Sequence, residues 1–410
     1  MRAQREKKNT LLKFLGNIVP IFLGLAVALG LMETLLRAFP NWVPAEVRVN
    51  PPARRVKAGI DETYALRLSD GDLFHHMRGI IEPLSADEDQ VVAHVHMLTD
   101  ANGFRNAPPE KATYGIVALG DSFTRASGVG SPWTQKLSEH TGVDVLNLAD
   151  VGFGPQDELK ALQQHGLKKQ PQWVILAYFG GNDLYDAAAY EQANPFILLR
   201  FGRYMLGQGI EAWHRTEPGG AQVAASATYR YPLSIEINNK ELELAFFSSY
   251  ISWLSLNRET IAASQNYDLV RETILQMQRL SQSVEANFLL VYVPSKSHVY
   301  LPYLQDTETV TRVFMDVLTL ELDEAGYIQF AGQRATPELT YRYMNDQVSL
   351  LADFAEAHSM HFLDLTPIFQ QEASTGAELY YPFDTHWNQP GHDLAAQSIY
   401  NYLKEMLPNT

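Results

Sequence analysis

The chain has 410 residues, 46% of them hydrophobic and 19% charged, an ordinary globular composition able to bury one large core or two modest ones. Its formal net charge of -15, with no Lys/Arg run beyond the N-terminus, argues against a nucleic-acid-binding protein, which would carry a basic face. Cysteine is absent, so disulfides, thiolate zinc sites and a cysteine nucleophile are excluded.

The first segment, "MRAQREKKNTLLK", sets Arg2, Arg5, Lys7, Lys8 and Lys13 against a single Glu6. An uncharged run from Phe14 to Met32 follows, long enough to cross about 30 Å of hydrocarbon as a helix. Positive charge ahead of the span predicts a cytoplasmic segment over 1–13, a transmembrane anchor over 14–36 and an extracytoplasmic body, periplasmic or extracellular. A cleaved signal peptide is the alternative, but "GLMETLLRAFP" offers no good small-x-small site. Residues 37–111 read as a proline-rich connector in which "VVAHVHMLTD" alternates as a strand.

From 112 to 410 the pattern becomes strands alternating with helices. "GIVALG", "VDVLNLA", "QWVILAYF", "NFLLVYV" and "HFLDL" read as five strands. Between them lie helices over "SPWTQKLSEHTG", starting at Ser131 with Pro132 in its first turn, over "GPQDELKALQQHGLKK" and over "YDLVRETILQMQRLSQSVEA". "TYRYMNDQVSLLADFAEAHSM" reads as one further helix, and "GHDLAAQSIYNYLKEML" closes the chain. Strands joined by crossover helices predict an α/β fold, a mostly parallel sheet of about five strands with helices on both faces. An aperiodic stretch at about 185–265 interrupts it, a length that points to a lid or binding loop. Its Trp213, Tyr229 and Tyr231 suit either stacking on sugar rings or a small aromatic core.

In an open parallel sheet, ligands bind beyond the carboxyl ends of the strands. Four clusters fall at such places: Gly120-Asp121-Ser122, then Gly152 and Gly154, then Gly181-Asn182-Asp183, then Asp384-Thr385-His386-Trp387. Together they contain what acyl transfer requires. A serine hydroxyl is a weak nucleophile until an imidazole takes its proton, and the imidazole needs a carboxylate to fix its tautomer. Asp384 and His386 stand two apart, so an extended segment would point both to one side. Backbone N–H groups of Ser122 and Gly152 and the Asn182 amide are donors of the right type for an oxyanion. Asp121 and Asp183 read as acceptors that hold their own turns, and Trp387 as packing that positions the last loop.

Each cluster has a plainer alternative. Ser122 alone could be a helix N-cap, and Asp384 with His386 a surface turn pair. His298 and His392 have no metal-ligand spacing and read as ordinary polar residues. Arg105 and Lys296 read as solvated surface charge, with a carboxylate- or sugar-binding role as the alternative.

Taken in order, Gly-Asp-Ser, the loop glycine, Gly-x-Asn-Asp and the terminal Asp/His pair resemble the SGNH hydrolases, also called the GDSL family. The resemblance covers about Tyr114 to Leu407. It implies a flavodoxin-like three-layer sandwich with Ser122 as nucleophile, His386 as base, Asp384 as its orienting acid, and Ser122, Gly152 and Asn182 as oxyanion donors, with no cofactor and no metal. One departure matters. The family's commoner motif places Asp three residues before His, whereas "DTHW" is similar to the subgroup related to alginate O-acetylation proteins. The anchor, "NGFRN" and "VYVPSKSHVY" look like membrane-tethered members associated with envelope polysaccharides. The implied activity is a serine esterase acting on acylated envelope or exported carbohydrate, or an O-acetyltransferase working beside a membrane acyltransferase. A non-catalytic polysaccharide scaffold is the alternative from another class. A nucleotide-binding domain is a distant third, because no Gly-x-Gly-x-x-Gly or Gly-Lys-Ser/Thr cradle follows the first strand.

Overall fold

The computed structural model describes residues 2–39, 42, 59–71, 73, 90–187, 196–198, 201, 233–304, 319–322, 328–331 and 335–407. Trp213, Tyr229 and Tyr231 lie outside these residues. A single helix, α1 (Arg2–Ala38), opens the chain. Its stretch Val19–Ala38 is long and apolar enough to cross a membrane and is almost entirely unburied. At its end Leu36 packs on Ile197, Leu198 and Phe201.

Strands β1 (Asp61–Arg67) and β2 (Val91–Leu98) then pair antiparallel. The central sheet comes next in five strands: β3 (Ile116–Gly120), β4 (Val145–Asn147), β5 (Trp173–Phe179), β8 (Asn287–Val293) and β11 (His361–Asp364). Two antiparallel pairs stand apart from it, β6 (Leu233–Ile237) with β7 (Lys240–Leu244), and β9 (Thr319–Leu322) with β10 (Ile328–Ala331). The order in the central sheet is β11-β8-β5-β3-β4, and every pairing in it is parallel.

Helices in chain order are α2 (Ser122–Arg125), α3 (Trp133–Thr141), α4 (Pro155–Ala161), α5 (Ser248–Leu254), α6 (Arg258–Ala262) and α7 (Gln265–Gln282). They continue as α8 (Lys296–Tyr300), α9 (Pro337–Tyr343), α10 (Asp346–Ala357), α11 (Thr366–Ala373) and α12 (Gln389–Leu403).

The uninterrupted apolar runs of β3, β5 and β8 follow from burial on both faces. Side chains alternate across a strand. Ile116, Ala118, Ile175, Leu289 and Val291 therefore join one core with Trp133, Phe369 and Ile399 of α3, α11 and α12. Val117, Leu119, Val174, Leu176 and Leu290 join the other, with Leu159, Ile274 and Leu351 of α4, α7 and α10. The result is the expected three-layer α/β sandwich.

Three elements differ from their sequence reading. Helix α3 begins one residue after Pro132, which caps it rather than sitting in its first turn. The helix expected around Met344 is two, α9 and α10, parted where Asn345 turns its side chain to His298 Nε2 at 2.9 Å. The later part of the aperiodic stretch is regular, supplying β6, β7, α5 and α6.

The segment before the sheet is packed into the body. Tyr64 Oη of β1 donates to Ser127 O at 2.5 Å, and Leu73 N–H donates to Phe383 O at 2.9 Å. The Asn106 side chain pairs with both N–H and C=O of Asn147 at 2.9 Å, closing the free edge of β4 as a strand would. Arg105 was read as surface charge, but it is 7% exposed, and its guanidinium donates to the carbonyls of Arg125, Ala126, Val129 and Gly130. The five-donor fork of arginine suits such a cluster of oxygens. Arg105→Met should destabilise the chain by about 2–4 kcal/mol, the scale of leaving several buried acceptors without a donor. Urea unfolding of the detergent-solubilised chain measures it, and an unchanged midpoint would remove Arg105 from this role.

Candidate active site

Strand β3 ends at Gly120, whose φ of 154° and surroundings both demand glycine. A Cβ there would come within 2.3 Å of Thr124 Oγ1 and 3.2 Å of Ala177 O. The next residue, Asp121, is the N-cap of α2, its Oδ1 accepting the Phe123 N–H at 2.9 Å. Ser122 is thus the first residue of α2 rather than its cap, and its hydroxyl is free to point elsewhere. It meets His386 Nε2 at 2.7 Å.

His386 Nδ1 lies 2.5 Å from Asp384 Oδ1, and the same oxygen accepts the His386 backbone N–H at 2.8 Å. The segment is therefore a tight Asx turn, not the extended strand expected from the two-residue spacing. With Nδ1–H donated to the carboxylate, Nε2 is the acceptor that faces the serine. Burial would raise the Asp384 carboxyl, but the His386 charge, the two N–H donors and the Lys296 ammonium outweigh it and hold it below the usual carboxylate range. Trp387, 1% exposed, anchors the loop, stacked on Phe369 at 5.0 Å and edge-on to Phe123 at 5.1 Å. Phe123 in turn tilts against the His386 ring at 4.9 Å. His298 and His392 are buried, each nitrogen contact made with protein, His392 Nδ1 accepting from Trp133 N–H at 3.4 Å.

Gly152 and Asn182 lie in the turns after β4 and β5, the two strands that flank β3. Gly152 takes a left-handed φ of 68°. Its loop is keyed to α2 by two contacts. Asn147 Nδ2 donates to Thr124 O at 2.8 Å, and Asp150 Oδ1 pairs with Arg125 Nη1 at 2.8 Å in a mostly buried bridge. The Asn182 turn is folded back by Asp183, whose Oδ2 accepts the Phe179 N–H at 2.7 Å, while Asn182 O accepts the N–H groups of Tyr185 and Asp186 at 2.8 Å. Ser122, His386 and Asp384 are in direct contact, with both loops of candidate oxyanion donors at the same edge of the sheet.

Residues 328–409 match the family model described as the SGNH hydrolase-like domain of the acetyltransferase AlgX. This part of the chain is similar to the SGNH hydrolase-like domains. The match includes Asp384, His386 and Trp387 and groups the chain with hydrolases and acyltransferases. No curated protein matches it in sequence. Solved structures similar to it include a GDSL-like lipase from Bacteroides thetaiotaomicron (10% identity, 74% of this chain and 93% of that one, TM-score 0.33). Others are a lipase/acylhydrolase from Enterococcus faecalis (14%, 72% and 97%, 0.33) and an acetylxylan esterase from Geobacillus stearothermophilus (12%, 73% and 97%, 0.34).

Several features of the SGNH-like site escaped the sequence reading. Lys296, read as solvated charge, is 2% exposed. Its one legible sign is a position just beyond the apolar strand β8. Behind Ser122 lie three buried carboxyls, those of Asp121, Glu158 and Asp183. Glu158 falls on the apolar side of α4, beside Leu159 and Leu162, which was the sign that it is not a surface acid. Neither of its oxygens has a hydrogen-bond partner among the described residues. Burial, reinforced by the neighbouring acids, raises Glu158 and Asp183 well above the carboxylate range, and burial alone pushes Asp121 up to about 6.

A raised folded-state value means that the folded chain holds the Glu158 proton more tightly than the unfolded one. Its contribution is therefore favourable below the ordinary glutamate value of about 4.3 and is lost as pH rises toward the folded value. Glu158→Gln should melt close to wild type at pH 4 and at a higher temperature than wild type at pH 8. Melting curves that run parallel across that range would contradict a protonated, buried Glu158.

Proposed function

We propose that the chain is a membrane-anchored, extracytoplasmic serine enzyme that cleaves acyl esters of carbohydrate through an acyl-enzyme on Ser122. The observation that carries this reading is the unbroken hydrogen-bonded chain from Ser122 Oγ through His386 to Asp384. Ser122 Oγ attacks the ester carbonyl as His386 Nε2 takes its proton, and Asp384 holds the ring and stabilises the imidazolium. The tetrahedral oxyanion is received by the N–H groups of Ser122 and Gly152 and by the Asn182 amide. Collapse expels the sugar hydroxyl, which leaves with the proton from His386. Water, activated by the same imidazole, then releases the acid and restores Ser122.

A second reading keeps the acyl-enzyme and replaces water with a sugar hydroxyl, making the protein an O-acetyltransferase. The description of the matching family model as an acetyltransferase favours it, since the match includes the Asp384/His386 loop. In that case a membrane acyltransferase is the natural supplier of acyl groups. The apolar stretch Val19–Ala38 and the basic residues before it support an anchor with a cytoplasmic N-terminus.

A fluorophosphonate should label wild type and leave Ser122→Ala unlabelled. It should react with His386→Ala about 10³-fold more slowly or worse, as expected when a triad loses its base. Labelling that persists in Ser122→Ala would refute the assignment. With a chromogenic acetyl ester, a burst followed by turnover in water marks hydrolysis. Acceleration by an oligosaccharide that becomes acetylated marks transfer.

A further inference from the structure

Lys296 has no part in the chemistry just described, yet it is a cation buried beside it. Strand β8 ends at Val293, Ser295 caps α8, and Lys296 is the first residue of that helix. Its side chain turns inward, and Nζ donates to Tyr381 O at 2.7 Å, Ala245 O at 3.0 Å and Pro382 O at 3.1 Å. An ammonium has three donors and no acceptor, so three carbonyls match it.

Two of those carbonyls belong to one run. Tyr381, Pro382 and Phe383 directly precede Asp384, and all three of their oxygens are held. Lys296 takes the first two, Ala245 N–H also takes Pro382 O at 2.9 Å, and Leu73 N–H takes Phe383 O at 2.9 Å. On the far side Tyr381 N–H donates to His386 O at 3.2 Å and closes the loop on itself. The backbone leading into Asp384 thus has little freedom, and Lys296 brings a full charge to the donors that restrain it. An apolar side chain could fill the same space without desolvating a charge, which costs several kcal/mol in protein interiors. The charge therefore has a purpose beyond packing.

We infer that Lys296 is a positioning residue for the Asp384–His386 pair: it fixes the loop carbonyls ahead of Asp384 and sets a buried positive charge beside the pair. Through Ala245 it also ties the end of β7, and with it the β6–β7 hairpin, to the acid–base loop. The inference rests on the Ser122 reading.

The charged and titratable groups around the pair come from several elements. Lys296 faces it from α8, and Arg67 at the end of β1 lines the small cavity next to Asp384. Tyr381 and His386 lie on the loop itself, while Asp121 and His392 act on His386 from α2 and α12. Removing one positive charge from this set makes protonation of the pair easier. The sign is therefore fixed, and the acid limb of reactivity should move to higher pH.

Two variants separate charge from contact. Lys296→Gln keeps N–H donors for the carbonyls and removes the charge, whereas Lys296→Met removes both. The readout is the second-order rate of fluorophosphonate labelling at Ser122 from pH 5 to 8, with circular dichroism melting as the check on folding. Lys296→Gln should shift the acid limb upward by about 0.5–1 pH unit with a small change in plateau rate, a modest shift for loss of a nearby charge. Lys296→Met should show the same shift and a plateau about tenfold lower, the scale of losing a charge-assisted hydrogen bond. If the methionine variant does not fold, the glutamine variant alone decides. A folded Lys296→Gln whose limb superimposes on that of wild type overturns the inference and leaves the Ser122 reading standing. Wild type that fails to label overturns that reading, and the inference falls with it.

Discussion

The 2.7 Å contact between Ser122 Oγ and His386 Nε2 joins residues 264 positions apart. Ser122 opens the four-residue helix α2, which runs on into a loop, and His386 sits in the loop ahead of α12. Loops of this kind are ordinarily the most variable part of a fold. Here two buried cations restrain them. Arg105 gathers the carbonyls that follow α2, and Lys296 gathers those that precede Asp384. Backbone oxygens turned inward on a loop would otherwise be left without donors, at a cost of about 1–3 kcal/mol each. A guanidinium or ammonium satisfies several at once from one anchor point, so position and satisfaction arrive together.

The sheet was legible in the sequence because burial on both faces erases alternation and leaves contiguous apolar runs. "IVALG", "WVILAYF" and "NFLLVYV" have no other comfortable place in a chain of this composition. The site's principal residues were legible for a related reason. Parallel strands present all their carboxyl ends at one edge, so polar clusters following such runs meet in space whatever their separation in sequence. The buried cations were not legible. What makes Lys296 an interior residue is a set of carbonyls about 50 and 85 positions away, and no local pattern carries that information. Glu158 differs in that its place on the apolar side of a helix is a local sign, although no motif singles out a lone glutamate there.

The carboxyl cluster behind Ser122 pulls against stability. Asp121 and Asp183 have clear duties, each accepting an N–H that shapes a turn beside the site. A third acid, Glu158, raises the electrostatic cost of both, since each buried carboxyl makes ionisation of its neighbours harder. Burial holds the protons of Glu158 and Asp183 most tightly, next to the apolar layer that runs up to the site. Asp384 is the exception, buried yet held ionised by His386 and Lys296. The contrast is the separation of acid environments expected where one carboxylate must carry charge and its neighbours must not.

The two-residue spacing of Asp384 and His386 follows from the same local geometry. In a turn that bends back on itself, the backbone N–H of the second residue after an aspartate falls naturally on that aspartate's carboxylate. Oδ1 of Asp384 accepts this N–H at 2.8 Å and the imidazole Nδ1–H at 2.5 Å together. A single oxygen thereby fixes both the backbone that carries the ring and the ring itself, leaving His386 little freedom to rotate away from Ser122. An extended segment would have aligned the two side chains without tying either to the main chain. The turn couples the tautomer of His386 to the fold of its own loop, and the Trp387 stack on Phe369 holds that loop against the core. Orientation of the imidazole is thus built from packing outward rather than left to the carboxylate alone.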